Sequence, residues 1–172
     1  MKEILISIQP KWCYLIESGK KTVEVRKTRP KLETPFKVYI YETLGEKIKL
    51  SNCVRGTIYR GCGKVIGEFI CDSIGGGYYG DDVISENSKQ KTCLTATEIA
   101  DYIEDKYAYF WHISNLVIYD KPRELSEFYT LKKCNACNGG YESTACIYDE
   151  NCKVPVPLKR PPQSWCYVEV SK

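Results

Sequence analysis

The sequence predicts a mainly β protein of the α+β class, built as a small, partly open barrel of about six strands with a few short helices packed on it. Three observations support this fold class. Runs of β-forming residues recur between glycine- and proline-rich turns. Helical periodicity covers only short stretches, and the sequence contains no internal repeat or low-complexity tract. With 172 residues the chain suffices for one well-formed core, so we expect a single domain over residues 1–172.

The first part of the chain predicts a strand, a helix and two further strands. Residues 4–8 are apolar β formers and predict the first strand. Pro10 suits the first turn of a helix, and Gly19 suits the position just after its end. Residues 21–28 and 36–43 are again rich in β formers and predict the second and third strands.

Turns are denser in the middle of the chain. Residues 44–63 are glycine-rich and charged, which is consistent with a hairpin, and residues 64–74 predict a strand. The glycines of residues 75–82 predict a mobile connector that lacks the ending of a phosphate-binding loop. Thr95 and Glu98 have the spacing of a capping box, which predicts that a helix begins there.

The last third of the chain predicts two more strands. The helix that follows the capping box should end near Lys106. Residues 107–120 predict a long, bent strand that ends at Pro122, followed by a short helix at residues 124–129. Residues 165–170 predict the final strand.

Composition and charge bound the function without fixing it. Hydrophobic residues make up 43% and charged residues 27%, as in an ordinary globular protein. A formal net charge of +3 permits binding to nucleic acid but does not require it, and the 14 tyrosines offer faces on which bases can stack. The sequence shows no bilayer-spanning apolar run and no signal peptide, so we expect a cytoplasmic protein with no membrane partner.

Residues 19–26 hold the densest set of candidate binding groups. Side chains alternate along a strand, so Glu24 and Arg26 should share one face, opposite the valines. Arg26 offers a fork of donors to a phosphate, a carboxylate or a base edge. Glu24 can accept from an exocyclic amine or act as a general base, and Lys20 and Lys21 can hold a phosphate or polarise a carbonyl. The alternative is an exposed Glu24–Arg26 pair of little energetic value.

The same residues fit a family motif. Gly19, Lys21, Glu24 and Arg26 match the pattern G-x-K-x-x-E-x-R, and the chain resembles the ASCH domain, a relative of the PUA RNA-binding domain. The resemblance covers nearly the whole chain, apart from a cysteine-rich insertion at residues 132–153, and implies a PUA-like pseudobarrel whose polar cleft is lined by the motif. Three further stretches resemble prophage-type members of the family: residues 8–12, 35–43 and 160–169.

The resemblance implies a protein that binds RNA or a nucleotide-like ligand in this cleft. Some small members of the family resemble amidohydrolases that act on N4-acylated cytidine with a Lys, a Thr and a Glu, so an enzyme for such a modified nucleoside is the alternative. Lys21 matches their lysine, Glu24 stands where their threonine is expected, and Glu68 is the candidate for their glutamate if it faces the cleft. A phage-encoded interaction module with a basic face is the second alternative.

A second candidate set precedes the last strand. Gln163, Ser164 and Trp165 offer an amide, a hydroxyl and an indole, which suit recognition of a base, with Trp165 as the stacking platform. The alternative is that Trp165 belongs to the core and that the prolines before it only make a rigid turn.

Four of the ten cysteines predict a metal site. Cys134, Cys137, Cys146 and Cys152 lie close together in a polar segment that has few apolar groups to bury. Four thiolates can hold one structural zinc ion, which would supply the free energy of ordering the segment and leave no open position for catalysis. The alternative is a loop with spare thiols, because disulfides are not expected in the cytoplasm.

Overall fold

Two β-sheets and a few short helices make up the protein in the computed structural model, which describes residues 2–45, 60–78, 90–104, 107–133 and 153–170. The strands are β1 (Glu3–Ile8), β2 (Val23–Arg26), β3 (Phe36–Glu42), β4 (Val65–Cys71), β5 (Ile74–Gly77), β6 (Ala108–His112), β7 (Ser114–Arg123), β8 (Phe128–Lys133), β9 (Lys153–Pro157) and β10 (Trp165–Val170). The helices are α1 (Pro10–Glu17) and α2 (Ala96–Ile103), with a 3-10 turn at Leu125–Glu127.

The central strand of the larger sheet is buried on both faces. This sheet has the strand order β7-β4-β3-β1-β10-β8-β9, and β1 runs parallel to β3 and antiparallel to β10. Ile4, Leu5 and Ile6 of β1 are fully buried, because separate apolar clusters cover the two faces of the strand. Burying an aliphatic side chain contributes about 1.5–3 kcal/mol. Strand β1 is therefore a firm base for the residues at its end.

One apolar cluster joins the larger sheet to the smaller one, whose strand order is β2-β6-β5. Ile6 of β1 and Phe36 of β3 share this cluster with Trp111 of β6. The rings of Phe36 and Trp111 meet edge to face, with centroids 5.7 Å apart. Cys13 and Ile16 fasten α1 to the same cluster. The end of β1 and the start of α1 are thereby held beside the small sheet that carries the motif.

The fold class and several elements are as the sequence predicts. The described part of the chain is mainly β, with short helices. Helix α1 begins at Pro10, and Gly19 has a φ of 71°, in the left-handed region that favours glycine after a helix. Thr95 and Glu98 make both hydrogen bonds of the capping box, although α2 ends at Ile103, earlier than expected.

The glycine run at residues 75–77 is a strand and not the expected mobile connector. These glycines belong to β5, which pairs with β6. A Cβ on Gly76 would lie 2.3 Å from the ring of Tyr107, so glycine permits a contact that a side chain would block. The strand expected over residues 64–74 accordingly divides into β4 and β5, which lie in different sheets.

The long strand expected over residues 107–120 divides in the same way. Strand β6 lies in the small sheet and β7 in the large one. Strand β7 also continues through Pro122, because it is an edge strand, where proline removes no ladder hydrogen bond. The helix expected at residues 124–129 is a single 3-10 turn. The described residues hold ten strands instead of about six, because these divisions add two strands and because β8 and β9 form where the sequence predicts no strand.

Two expected features fall mainly outside the described residues. They are the hairpin expected within residues 44–63, of which residues 46–59 are not described, and the cysteine-rich insertion expected at residues 132–153, of which residues 134–152 are not described. Lys132 and Lys133, assigned to the insertion, belong to β8, and Lys153 belongs to β9. Among the helices in the described ranges, none has the length and apolar character needed to cross a membrane.

Candidate ligand-binding pocket

A pocket of about 560 Å³ lies where β1, α1, β2 and α2 meet the segment that precedes β10. We term it the motif pocket, because Lys21, Glu24 and Arg26 line it. Its volume lies in the range of sites that hold small organic ligands. Other lining residues used below are Ser7, Trp12, Glu98, Asp101, Tyr102, Gln163 and Ser164.

The alternation of side chains along β2 places the motif as the sequence predicts. Glu24 and Arg26 both line the motif pocket. Val23 and Val25 pack with apolar residues of α2 and β6, including Ile99. The valines therefore fasten the strand, and the polar side chains that alternate with them are held toward the pocket.

Glu24 lies between the two cations of the motif. Its carboxylate oxygens are 3.2 Å from Lys21 Nζ and 3.0 Å from Arg26 Nη2. The exposed fractions of the Lys21, Glu24 and Arg26 side chains are only 2%, 8% and 8%. The three residues are thus a buried charged unit and not an exposed surface pair. Removing charges from water is costly unless each charge finds partners, so this unit depends on its surrounding hydrogen bonds.

Lys21 is fully engaged by neighbouring protein groups. Its Nζ donates to the carbonyl oxygens of Val23 and Thr92, at 2.9 and 2.8 Å, and lies beside Glu24. A lysine ammonium has three donors and no acceptor. The three protein acceptors match the three donors. Lys21 therefore orients Glu24 and presents no free amine to a ligand.

Arg26 connects the motif to the segment before β10. Its Nη2 donates to the carbonyl oxygen of Ser7 at 2.7 Å, and its Nη1 donates to the Ser164 hydroxyl at 3.3 Å. The buried Nε of Arg26 finds no hydrogen-bond partner in the described ranges. Glu24 keeps acceptor capacity, because a carboxylate has about four lone-pair sites. The pocket therefore presents a carboxylate whose position is fixed.

Aromatic and acidic groups surround the opening of the motif pocket. Trp12 of α1 and Tyr102 of α2 both line it, and Tyr102 is 38% exposed. Glu98 and Asp101 lie on the same side of α2, and both are exposed. A hydrogen bond from the backbone N–H of Thr95 holds the pKa of Glu98 below its usual value. The opening can therefore stack a flat ring and accept hydrogen bonds.

The cations that line the motif pocket are engaged by protein groups. Carboxylates of Glu24, Glu98 and Asp101 line it, against the cations of Lys21 and Arg26. Both cations are already paired with Glu24. Glu98 is itself paired with Lys11, whose Nζ lies 3.8 Å away, so a phosphate group entering here would find no free lining cation in the described part of the chain. The arrangement favours an uncharged ligand with hydrogen-bond donors.

The predicted base-recognition set divides between two pockets. Gln163 and Ser164 line the motif pocket, but Trp165 does not. The indole N–H of Trp165 donates to Thr28 Oγ1 at 3.0 Å, and the ring packs against Trp111 with centroids 6.0 Å apart. Trp165 instead lines a second pocket, which we term the β10 pocket. The structure thus corrects its expected role as the stacking platform of the motif cleft, because successive side chains at a strand turn to opposite sides.

Two further candidates lie away from the motif pocket. Lys20 is exposed and is not among its lining residues. Glu68 accepts from Lys37 Nζ at 2.8 Å and from the Tyr119 hydroxyl. Burial acts to raise the pKa of Glu68, but these hydrogen bonds hold it below its usual value. The expectation that Glu68 faces the cleft is wrong, because it pairs in register with Tyr39, which belongs to the other apolar cluster.

Sequence reasoning does not find several residues of the site. Ser7 and Thr92 contribute backbone carbonyls, which carry no signal in the side-chain pattern. Glu98 is found only as a capping residue, and Asp101 is not found. Their spacing of three residues on a helix, beside the buried Ile99, does indicate a polar face and was the available signal.

The four cysteines predicted to bind zinc lie outside the described residues. Within the described ranges, no group of three or more His, Cys, Asp or Glu side chains is placed to hold a metal ion. The zinc site in residues 134–152 therefore stays a prediction.

The described strands and helices form a small, β-rich fold that is similar to solved ASCH structures. Solved structures of a Zymomonas mobilis protein show this fold. One mutant of its ASCH protein matches with 20% sequence identity and a TM-score of 0.58, over 98% of this chain and 91% of that one. Another mutant matches with 19% identity and a TM-score of 0.58, over 97% of this chain and 88% of that one. No family model and no curated protein matches the chain.

Proposed function

We propose that the protein is an ASCH-family member that binds RNA or a nucleotide-like ligand, and that the motif pocket takes one uncharged base of that ligand. The observation that carries this proposal is Glu24, a carboxylate fixed between Lys21 and Arg26 in a pocket of about 560 Å³. The solved ASCH structures support the fold assignment, and the chemistry rests on the residues of this chain.

Each group has a role in the proposed recognition. Glu24 accepts from an exocyclic amine or a ring N–H of the base. Gln163 offers both an acceptor and a donor, and Ser164, held by Arg26, adds a hydroxyl. Trp12 and Tyr102 stack on the faces of the base, a contact worth about 1–3 kcal/mol. The phosphates of the ligand lie outside the pocket, because the lining cations Lys21 and Arg26 are already engaged by protein groups.

An amidohydrolase acting on an N4-acylated cytidine is the second candidate function. The observation that favours it is the distance of 3.2 Å between Lys21 Nζ and Glu24, inside a pocket of suitable size. Two features oppose it. The donors of Lys21 are matched by protein acceptors, and Glu68 lies on the other side of the sheet. A lysine that attacks a carbonyl must first lose a proton and leave these acceptors.

Calorimetric titration tests the proposed function. Wild-type protein is titrated with the four ribonucleosides, and we expect at least one to bind. Gln163→Ala and Ser164→Ala should weaken this binding about fivefold or more, because each removes a hydrogen bond worth about 1 kcal/mol. Lys20→Ala is the control, because Lys20 is exposed beside the motif and does not line the pocket. Wild-type protein that binds none of the four nucleosides would contradict the proposal.

Incubation with N4-acetylcytidine separates the two candidates. Release of acetate at a steady rate, abolished in Lys21→Ala, would establish the hydrolase. We expect binding without turnover, because Lys21 has no free amine.

A further inference from the structure

We infer that the β10 pocket is a second binding site, and that it holds the sugar–phosphate backbone of a single-stranded nucleic acid with a base against its aromatic rings. The pocket has a volume of about 400 Å³ and is lined by residues of β10, β8 and β9 and by Lys2. No residue of the motif lines the β10 pocket. The inference therefore rests on observations separate from those that support the motif pocket.

The aromatic side of the β10 pocket is ordered before any ligand binds. Trp165 and Tyr167 lie two residues apart on β10 and so share one face, with ring centroids 5.5 Å apart and planes nearly perpendicular. The indole of Trp165 donates to Thr28, and the Tyr167 hydroxyl accepts from the backbone N–H of Lys31 at 2.7 Å. Rings held in this way lose little conformational entropy when a base stacks on them.

The lysines on the charged side of the pocket favour an anionic ligand. Lys2 and Lys153 line the pocket with a single carboxylate, that of Glu169, and Lys2 Nζ lies 5.6 Å from the centre of the Tyr167 ring. Strand pairing sets Lys153 directly opposite Lys133. Like charges at directly opposite positions repel each other and weaken the strand pair.

Within the described ranges, the ion pairs involve other lysines: Lys11, Lys21, Lys27, Lys37 and Lys64. Lys2, Lys133 and Lys153, on one face of the sheet, have no carboxylate partner among the residues that the structure describes. A phosphodiester along β9 and β10 would relieve the repulsion between them. A nucleic acid supplies such an anion together with a flat base for Trp165 and Tyr167, which is the combination that single-strand-binding surfaces use.

The position of the β10 pocket suits a ligand that also reaches the motif pocket. Ser164 lines the motif pocket, and the next residue, Trp165, lines the β10 pocket. A strand of nucleic acid that reaches both pockets would place an uncharged base in the motif pocket and its backbone on the lysine-bearing face. This last step rests on the proposed function, whereas the β10 site itself does not.

Fluorescence anisotropy with a labelled single-stranded RNA of about eight nucleotides tests the inference, since one binding domain covers about that length. The double variant Lys2→Gln with Lys153→Gln should bind about tenfold more weakly at low salt. Its plot of log affinity against log salt should be flatter, by roughly 0.7 for each lysine removed. Both lysines are exposed, so the fold should be kept. Lys121→Gln is the matched control, because Lys121 is exposed on β7, the opposite edge of the same sheet.

Several outcomes would overturn the inference or separate it from the proposed function. A double variant that binds the oligonucleotide as Lys121→Gln does, or wild-type protein that does not bind it at low salt, would overturn the β10 site. Nucleoside binding to the motif pocket should be unchanged in the double variant. If nucleosides fail to bind while the oligonucleotide binds through Lys2 and Lys153, the β10 site stands and the proposed function of the motif pocket fails. Single-stranded DNA of the same sequence should bind similarly, because the contacts are to phosphates and base faces.

Discussion

Ser164 lines the motif pocket and the next residue, Trp165, lines the β10 pocket, yet the charges of the two pockets are arranged in opposite ways. In the motif pocket, Lys21 and Arg26 are buried and paired with Glu24. In the β10 pocket, the lysines are exposed, and the described residues supply no ion pair for them. Lysine therefore positions a carboxylate in the motif pocket and presents an exposed positive charge in the β10 pocket.

The difference teaches how burial decides what a charged group can recognise. A buried cation with all its donors engaged fixes the position of its partner, so the ligand meets the partner and not the cation. An exposed lysine without a carboxylate partner attracts phosphates and makes binding depend on salt. Counting lysines along the sequence cannot distinguish the two situations.

The largest expected effect is on stability when the buried charged unit is broken. Glu24→Gln removes the charge shared by Lys21 and Arg26 and leaves two buried cations together. The free energy of unfolding, measured by urea denaturation, should fall by about 3–5 kcal/mol. Glu169→Gln is the comparison in the β10 pocket and should change it by no more than about 0.5 kcal/mol. Equal effects of the two substitutions would show that the pockets do not differ in this way.

A smaller loss is expected when the small sheet, which carries β2, is disturbed. A Cβ at Gly76 would lie 2.3 Å from the ring of Tyr107, whereas a Cβ at Gly75 would lie 3.9 Å from its nearest neighbour, in Phe110. Gly76→Ala should therefore destabilise the protein by about 1–3 kcal/mol, as measured by thermal or urea unfolding. Gly75→Ala should be nearly neutral.

The two glycine variants also sharpen the comparison between the pockets. Gly76→Ala should weaken nucleoside binding to the motif pocket, because β2 and β5 flank β6 in the same small sheet. Oligonucleotide binding to the β10 pocket should remain, because that pocket lies on the large sheet. If both activities fall together, the two sheets do not support the pockets separately.

Local pattern predicts much of this arrangement. The valines of β2 and the alternating Glu24 and Arg26 indicate a strand with one polar face, and Thr95 with Glu98 indicates a helix start, because each signal acts over a few residues. A run of glycines does not distinguish a turn from a strand, because Gly76 is required by its close contact with the ring of Tyr107 and not by a turn. A strand can thus be mistaken for a connector.

The remaining features depend on contacts between distant parts of the chain. Nothing near Lys21 in the sequence indicates that all three donors of its ammonium are engaged, because one of the three acceptors is the carbonyl of Thr92, 71 residues away. Trp165 and Glu68 are predicted for the motif cleft because their types suit it. Strand pairing across the sheet sets the face on which each side chain lies. This pairing cannot be predicted from the sequence of either strand alone.

The predicted zinc site offers a further test of the comparison. Cys134, Cys137, Cys146 and Cys152 lie in the segment of chain between β8 and β9, both of which line the β10 pocket. We expect one zinc ion per chain in freshly reduced protein by elemental analysis. Its removal with a chelator should weaken oligonucleotide binding by less than the double lysine variant does, and should leave nucleoside binding unchanged. A zinc content near zero would contradict the metal site alone.

The smallest expected effect concerns Glu68, a paired carboxylate that belongs to neither pocket. Hydrogen bonds from Lys37 and Tyr119 outweigh the effect of burial and lower its pKa from the usual 4.5. Because the pKa is lower in the folded state, the stability it contributes is fully present above 4.5 and is lost as the pH falls through the folded-state value. The side chain is 23% exposed, so the contribution should stay below about 1 kcal/mol.

Urea unfolding at neutral pH and at successively lower pH values measures this contribution. Glu68→Gln should lower the stability slightly at neutral pH and should flatten its decline in acid. Glu33→Gln is the control, because Glu33 is exposed and makes no ion pair within the described ranges. If Glu68→Gln lowers the free energy of unfolding as much as Glu24→Gln does, an ion pair alone accounts for the stability that Glu24 contributes, without its burial beside a second cation. A small loss would attribute that stability to the enclosure of Glu24 between Lys21 and Arg26.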